Sequence, residues 1–121
     1  MSIVTMRANL TETDVRTLIK GPTEDSRAQA AHKICRCIEE ASLTPEERLH
    51  AEGIIAIMAQ DAAVLVRRSL AVALKNSPKL PREIANKLAR DVESIALPVI
   101  MNSPALTDAD LVEIVRNSPP T

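Results

Sequence analysis

The sequence predicts an all-α fold, an α-solenoid of about three stacked helix pairs with roughly seven helices. Apolar residues recur at helical spacing along the 121 residues, and no alternating Val/Ile/Thr-rich run is long enough to indicate a strand. The eight prolines cluster at apparent helix boundaries, and one helical segment, Asp61–Leu74, has two weaker copies. A repeated unit of two helices is typical of solenoids.

Four helix starts share one pattern, a leucine followed by a threonine or proline and then an acid. Threonine accepts hydrogen bonds at an N-cap, proline suits the first helical position, and early acids interact well with the helix dipole. The preceding leucine packs on the next turn. These signals predict helices near residues 12–20, 45–60, 81–90 and 107–116. Periodicity predicts three more, near 23–41, 62–76 and 92–102.

The segment Asp61–Leu74 contains the clearest helical pattern. It begins with an acid that we expect to cap the helix, has Val66-Arg67 at its sixth and seventh places, and continues with leucines four apart. We expect Val66 to point into the core. We expect Arg67 to bond to neighbouring units, because stacked units bury each other's open faces.

The two weaker copies lie on either side of this segment. In the first copy, Ser26-Arg27 takes the Val-Arg place. The other copy begins at Asp91, with Ala96-Leu97 at the Val-Arg place and Ile100 at the place of Leu70. The three segments are therefore predicted to be the first helices of successive units.

Prolines mark predicted helix ends and one interior position. The phrase Asn-Ser-Pro occurs at 76–78, 102–104 and 117–119. Asn and Ser bond locally to the backbone, and Pro prevents the helix from continuing. Pro98 instead falls inside the periodic segment 92–101, where it removes one helical hydrogen bond. It predicts a kink, or a short helix that restarts at Pro98.

The core must be aliphatic, because the chain contains no Phe, Tyr or Trp. Aromatic side chains usually stack on bases and anchor small molecules, so their absence counts against a nucleobase or carbohydrate site. Leu, Ile, Val, Ala and four Met supply the packing instead. The helical register predicts core positions at Val66, Leu70, Leu74, Ile84, Leu88, Ile100, Leu111 and Val115.

Length and composition predict a single domain, 1–121, in the cytoplasm. Cys35 and Cys37 are too few for a disulfide framework, which favours a reducing compartment. No apolar run approaches the roughly 18 residues of a membrane span. The N-terminus lacks the pattern of a secretory signal.

Charge is unevenly distributed, although the net charge is only −1. Residues 67–90 contain seven basic side chains and a single acid, Glu83, whereas the segments before and after them are acidic. Apart from Arg67, these cations are a candidate binding surface for an acidic protein or phosphate. The alternative interpretation is that these side chains form an ordinary charged face exposed to solvent. The surface comprises Arg68, Lys75, Lys79, Arg82, Lys87 and Arg90.

The segment Asp61–Leu74 resembles the first helix of HEAT repeats, in which Asp caps, Val packs inward and Arg bonds to neighbouring repeats. The stretches 67–74, 88–91, 96–99 and 102–116 are similar to an uncharacterised, mainly alphaproteobacterial, domain-of-unknown-function family with HEAT-like repeats. The likeness covers residues 8–116. The resemblance implies a HEAT-like solenoid and supplies no catalytic residues that could be assigned to this chain. Members of that family are usually longer, so we expect a fragment or a short member.

Metal binding and phosphotransfer have little support. His32 and Cys35 share a helix face, but Cys37 is turned by about 200° from Cys35, and the other histidine, His50, is on the next helix. A closed zinc site needs four ligands, so we predict no metal or cofactor and two buried cysteines. His32, beside Lys33, is a separate candidate for accepting a phosphoryl group.

The sequence therefore favours a non-enzymatic scaffold that binds a protein partner through one face of its helices. Contact of the basic surface with the phosphate backbone of a nucleic acid is the alternative. An enzymatic or phosphotransfer role is less favoured, because the chain has no Gly-x-Ser-x-Gly, phosphate-binding glycine loop or His-Glu-x-x-His.

Overall fold

The structure, a computed structural model, describes the backbone of residues 12–117 and the side chains of residues 14–116. This part of the chain contains seven α-helices and no strand, which confirms the all-α prediction. Each helix lies within two residues of its predicted bounds. The helices are α1 (Glu12–Lys20), α2 (Glu24–Glu40), α3 (Pro45–Ala59), α4 (Val64–Leu74), α5 (Arg82–Ala89), α6 (Glu93–Asn102) and α7 (Asp108–Asn117).

The helices contact one another in two series. In the even series, α2 contacts α4, and α4 contacts α6. In the odd series, α3 contacts α5, and α5 contacts α7. Further contacts join α3 to α4 and α5 to α6, while α1 packs on α2. Helix α4 therefore has neighbours on three sides, α2, α3 and α6.

The core is aliphatic, as the composition requires. Its largest fully buried side chains come from α1 to α6 and from the loop before α5. The prediction is confirmed for Val66, Leu70, Leu74 and Leu88, which are all fully buried. Three other predicted positions are partly buried, namely Ile84, Ile100 and Leu111.

The predicted register of α7 is wrong by one residue. Val115 is 72% exposed, whereas Ile114 is only 3% exposed and joins the core. The first helical hydrogen bond of α7 runs from the amide of Leu111 to the carbonyl of Thr107, as that of α5 runs from Ala85 to Pro81. Ile114 therefore matches the buried Leu88 of α5.

The third copy is also shifted by one residue. Ile95 and Val99 are fully buried and take the inward places that were predicted for Ala96 and Ile100. The reason is the helix start: α6 begins two residues after Asp91, whereas α4 begins three residues after Asp61. The missing residue rotates α6 by about 100° relative to the predicted overlay.

The predicted N-terminal capping is confirmed at the starts of α3 and α7. Thr44 and Glu47 form a capping box before α3, with Oγ1 of Thr44 3.1 Å from the amide of Glu47. Thr107 and Asp110 make the corresponding pair of bonds before α7, both at 3.0 Å. Pro45 occupies the first turn of α3 as predicted. These reciprocal bonds satisfy amides that have no partner within the helix.

Two other starts differ from the prediction. Asp61 is not the N-cap of α4, because that place belongs to Ala63, which makes no side-chain cap bond. Oδ1 of Asp61 instead accepts from the amide of Ala63 at 2.8 Å, two residues on. Pro81 occupies the N-cap of α5 rather than its first helical position. Asp61 thus shapes the turn before α4 while both of its carboxylate oxygens also accept from a distant partner.

The Asn-Ser-Pro phrases form the same turn twice. Oγ of Ser77 accepts from the amide of Lys79 at 3.0 Å, and Oγ of Ser103 accepts from the amide of Ala105 at 3.1 Å. The third phrase, at 117–119, extends beyond the described residues. The predicted helix restart at Pro98 is wrong, since α6 continues through that residue from Glu93 to Asn102.

Candidate binding cleft

Two arginines of the even series make the same bidentate bond to an aspartate before the next helix. Nε of Arg27 lies 3.0 Å from Oδ2 of Asp61, and its Nη2 lies 3.2 Å from Oδ1. Nε of Arg67 lies 2.7 Å from Oδ2 of Asp91, and its Nη2 lies 3.1 Å from Oδ1. The two arginines that the sequence placed at one position therefore have one role. Each joins its own helix to the turn before the next helix of the even series.

Arg67 makes additional bonds that tie it to the turn before α4. Its Nη1 donates to the carbonyls of Asp61 at 2.7 Å and Ala62 at 3.1 Å. One guanidinium thus links the turn before α4 to the aspartate before α6. The structural role predicted for Arg67 is confirmed.

These bonds hold both carboxylates in the charged form. The hydrogen bond from Arg67 lowers the pKa of Asp91 by more than burial raises it, and the amide of Val92 lowers it further. Burial is the largest single influence on Asp61 and raises its pKa, but the bonds from Arg27 and the amide of Ala63, together with the charges of Arg27 and Arg67, outweigh it. Both pKa values therefore lie below the usual value, because bonding to the charged form favours it.

An open cleft of about 520 Å³ lies beside these ion pairs. Lys87 in the last turn of α5 and Arg90 at its C-cap line this cleft, and both are exposed. Among the described residues, neither side chain lies within ion-pair distance of a carboxylate, whereas Asp61 and Asp91 are bonded to arginines. The cleft therefore has surplus positive charge, which suits a carboxylate or phosphate group. Its lining is Ala59, Gln60, Asp61, Ala62, Arg67, Lys87, Arg90 and Asp91.

Lys79, another predicted surface residue, is bonded to the C-terminus of α2. Its Nζ donates to the carbonyls of Ile38 at 2.9 Å, Glu39 at 2.9 Å and Ala41 at 2.5 Å. These carbonyls lie at the C-terminus of α2, the negative end of its dipole, and that of Ile38 also accepts from the amide of Ala41 at 3.3 Å. Lys79 therefore acts as a cap for a helix about forty residues earlier in the chain.

Arg82 is also engaged within the molecule. Its Nε and Nη2 lie 2.8 Å and 2.7 Å from the two carboxylate oxygens of Asp110 in α7. This bond and the amide of Thr107 hold the pKa of Asp110 well below its usual value. The side chain of Arg82 is still 62% exposed. It joins α5 to α7, as Arg67 joins α4 to the start of α6.

The remaining two predicted residues, Arg68 and Lys75, lie about two turns apart along α4, and neither lines the cleft. Arg68 is exposed and donates to Oγ of Ser94 at 3.1 Å, across from α4 to α6. Lys75 is the partly buried C-cap residue of α4.

The predicted basic surface is divided between two ends of the helices. The cleft lies by Asp61, which bonds Arg27 near the start of α2, whereas Lys79 bonds Ile38 near its end. These two positions on α2 are separated by about 16 Å, at about 1.5 Å per residue. Only Lys87 and Arg90 of the six predicted residues line the cleft.

The cysteines, Cys35 and Cys37, are both buried, as predicted. The thiol of Cys35 lies 3.6 Å from the sulfur of Met58. Burial raises the pKa of Cys35 to about 12 and also raises that of Cys37. His32 is exposed on the same helix, and residues 14–116 contain no group of three metal-binding side chains.

The acidic partners in these contacts were not identified from the sequence. Asp61, Asp91 and Asp110 each pair with an arginine 24 to 34 residues earlier. For Asp61 and Asp91 the sequence did contain a signal, because an aspartate recurs just before α4 and just before α6. No comparable repeat pointed to Asp110, because helix capping already explains an acid near the start of α7.

No family model, curated protein or solved structure matches this chain. The resemblance to HEAT-like bacterial proteins therefore stays a prediction. Within the described residues, no helix is both long enough and apolar enough to cross a membrane.

Proposed function

We propose that this chain is a HEAT-like α-solenoid that serves as a non-enzymatic scaffold, binding an acidic segment of a partner protein. The binding site is the cleft beside Arg67, with Lys87 and Arg90 as the main contacts. One observation carries this proposal: Lys87 and Arg90 stand exposed beside carboxylates that other arginines already neutralise.

Three recurring contacts support the solenoid interpretation. The even helices contact one another in succession, and so do the odd helices. The Arg27–Asp61 bond recurs as Arg67–Asp91, and the Ser77 turn recurs at Ser103. In solenoids each unit contacts only its neighbours, so its linking contacts recur along the chain.

An acidic protein segment fits the cleft better than a nucleic acid does. A nucleic acid binds best to a continuous line of cations that follows the phosphate backbone. Here Lys79 and Arg82 are engaged elsewhere, and the chain has no aromatic side chain for base stacking. A few carboxylates on a peptide need only the local charge of Lys87 and Arg90. Nucleic-acid binding is the alternative that the experiment below separates.

The test compares a labelled peptide of Glu, Gly and Ser with labelled duplex DNA and single-stranded RNA by fluorescence anisotropy. The key variant is Lys87→Glu/Arg90→Glu. The control is Arg16→Glu/Arg36→Glu, which changes the net charge equally at exposed positions on α1 and α2. We expect the peptide to bind the wild type and the control, and the key variant to bind about tenfold or more weakly.

Two results would contradict the proposal. One is equal weakening by both double variants, which would indicate a response to net charge alone. The other is tight, salt-sensitive binding of duplex DNA or RNA without binding of the peptide, which would favour the nucleic-acid alternative.

A further inference from the structure

The outer face of α7 corresponds, position by position, to the face of α5 that packs against α7. Arg82 bonds Asp110 of α7, and Asn86 also contributes to the lowered pKa of that carboxyl group. The matching starts of α5 and α7 place Asp108 where Arg82 stands and Val112 where Asn86 stands. Asp108 and Val112 therefore lie where a further helix of the odd series would pack.

This face of α7 is apolar at a place where α5 has a small buried residue. Ala89, which the matching helix starts align with Val115, is only 4% exposed. Val115, at the same place in α7, is 72% exposed, and Val112 is 56% exposed. Together with Leu111 they line an open groove of about 480 Å³. Adjacent exposed apolar side chains on one helix form a face that a partner can cover.

The charges beside this groove indicate what covers it. Asp108 and Arg116 lie four residues before and four residues after Val112, and both are exposed. Residues four apart share a helix face. If two copies of α7 pair antiparallel about Val112, each Arg116 faces the Asp108 of the other copy. The α7 surface is thus complementary to itself, both in its apolar groups and in its charges.

A further helix like α7 fits this face less well. Within the odd series, Arg82 of α5 attracts Asp110 of α7. In α7 the place of Arg82 is taken by Asp108, which would repel an aspartate of that kind. Because an acid stands in place of the arginine, α7 cannot offer a further helix the kind of contact that joins α5 to α7.

We propose that a second copy of this chain covers the groove, in a two-fold dimer formed by antiparallel α7 helices. The interface comprises Leu111, Val112 and Val115, with Asp108 and Arg116 at its edges. It is separate from the cleft of the proposed function, so dimerisation and cleft binding are tested independently. A contact of one helix face is small, and we expect a dissociation constant of about 1–100 µM.

Sedimentation velocity across a concentration series tests the dimer. We expect the mass to rise from 13.1 kDa towards twice that value as the concentration passes the micromolar range. Val112→Asp/Val115→Asp should remain monomeric. Leu49→Asp, at a position on α3 that is 68% exposed, is the matched control and should dimerise like the wild type. Circular dichroism checks that each variant is folded.

Charge reversal tests the antiparallel arrangement without altering the apolar residues. Asp108→Arg and Arg116→Asp should each weaken self-association at least about tenfold, because like charges then face each other. An equimolar mixture of the two variants should restore the dimer, since opposite charges meet at both edges. The proposal is overturned if the wild type is monomeric throughout, if Val112→Asp/Val115→Asp dimerises, or if the mixture does not associate.

Discussion

Truncation of Leu70 tests the packing of α4 most sharply. Leu70 is fully buried, and its helix has α2, α3 and α6 as neighbours. Leu70→Ala removes three buried carbons, which costs about 2.4 kcal/mol at about 0.8 kcal/mol each. Neighbours on three sides prevent the site from collapsing, so a cavity contribution adds to this loss. We expect a total decrease of about 3–5 kcal/mol in the free energy of unfolding.

The assay is urea denaturation followed by circular dichroism, because the chain has no tryptophan or tyrosine for intrinsic fluorescence. With a slope of about 1–3 kcal/mol per molar urea, the midpoint should fall by at least about 1 M. Val72→Ala is the matched control, since Val72 is on the same helix but 48% exposed. It should change stability by about 0.5 kcal/mol or less.

A loss below about 0.5 kcal/mol for Leu70→Ala would refute this account of the core. It would mean that Leu70 does not face the interior of the helix stack. Equal losses for Leu70→Ala and Val72→Ala would be equally damaging, because these two positions lie on different faces of α4.

Three further predictions concern register, reactivity and pH. On α7, Ile114→Ala should destabilise by about 2–4 kcal/mol and Val115→Ala by about 0.5 kcal/mol or less in urea denaturation of dilute, monomeric protein; the reverse order would restore the register expected from sequence. Cys35 should resist iodoacetamide at pH 8 until urea unfolds the chain, because burial and a pKa of about 12 leave almost no thiolate; rapid labelling of native protein at this residue would contradict its burial. The pKa of Asp91 is lower in the folded chain than its unfolded value of about 3.9, so its ion pair stabilises the fold above that pH and the contribution is lost as the pH falls through the folded value. Asp91→Asn should therefore be less stable than wild type at pH 7, with the difference shrinking below about pH 4; a difference independent of pH would show that the Arg67 bond is not its source.

The sequence was sufficient to predict the helices, because their signals are local. Thr44 caps α3 through a residue three positions away. Pro22, Pro45, Pro78, Pro81 and Pro104 stand at or near helix boundaries. The face of α4 that packs in the core could also be predicted from the spacing of its leucines. The faces of α6 and α7 were not, because each depends on where the helix begins. One residue fewer after Asp91 turns α6 by about 100°.

The candidate site was harder to predict because its contacts are distant in sequence. The cations of 67–90 are close together along the chain, and this suggested one surface. Lys79 instead bonds carbonyls of α2, and Arg82 bonds Asp110. Local charge counting cannot detect such partners, since helix packing alone brings them together. Lys87 and Arg90 remain as the exposed pair at the cleft.

The binding role of the cleft is the central claim, and comparative affinity capture from the source cell tests it most directly. Three immobilised proteins are compared by quantitative mass spectrometry: the wild type, Lys87→Glu/Arg90→Glu and the matched control Arg16→Glu/Arg36→Glu. We predict that acidic proteins captured by the wild type are retained by the control and lost from the cleft variant. Capture of the same proteins by all three would contradict the claim that this cleft binds the partner.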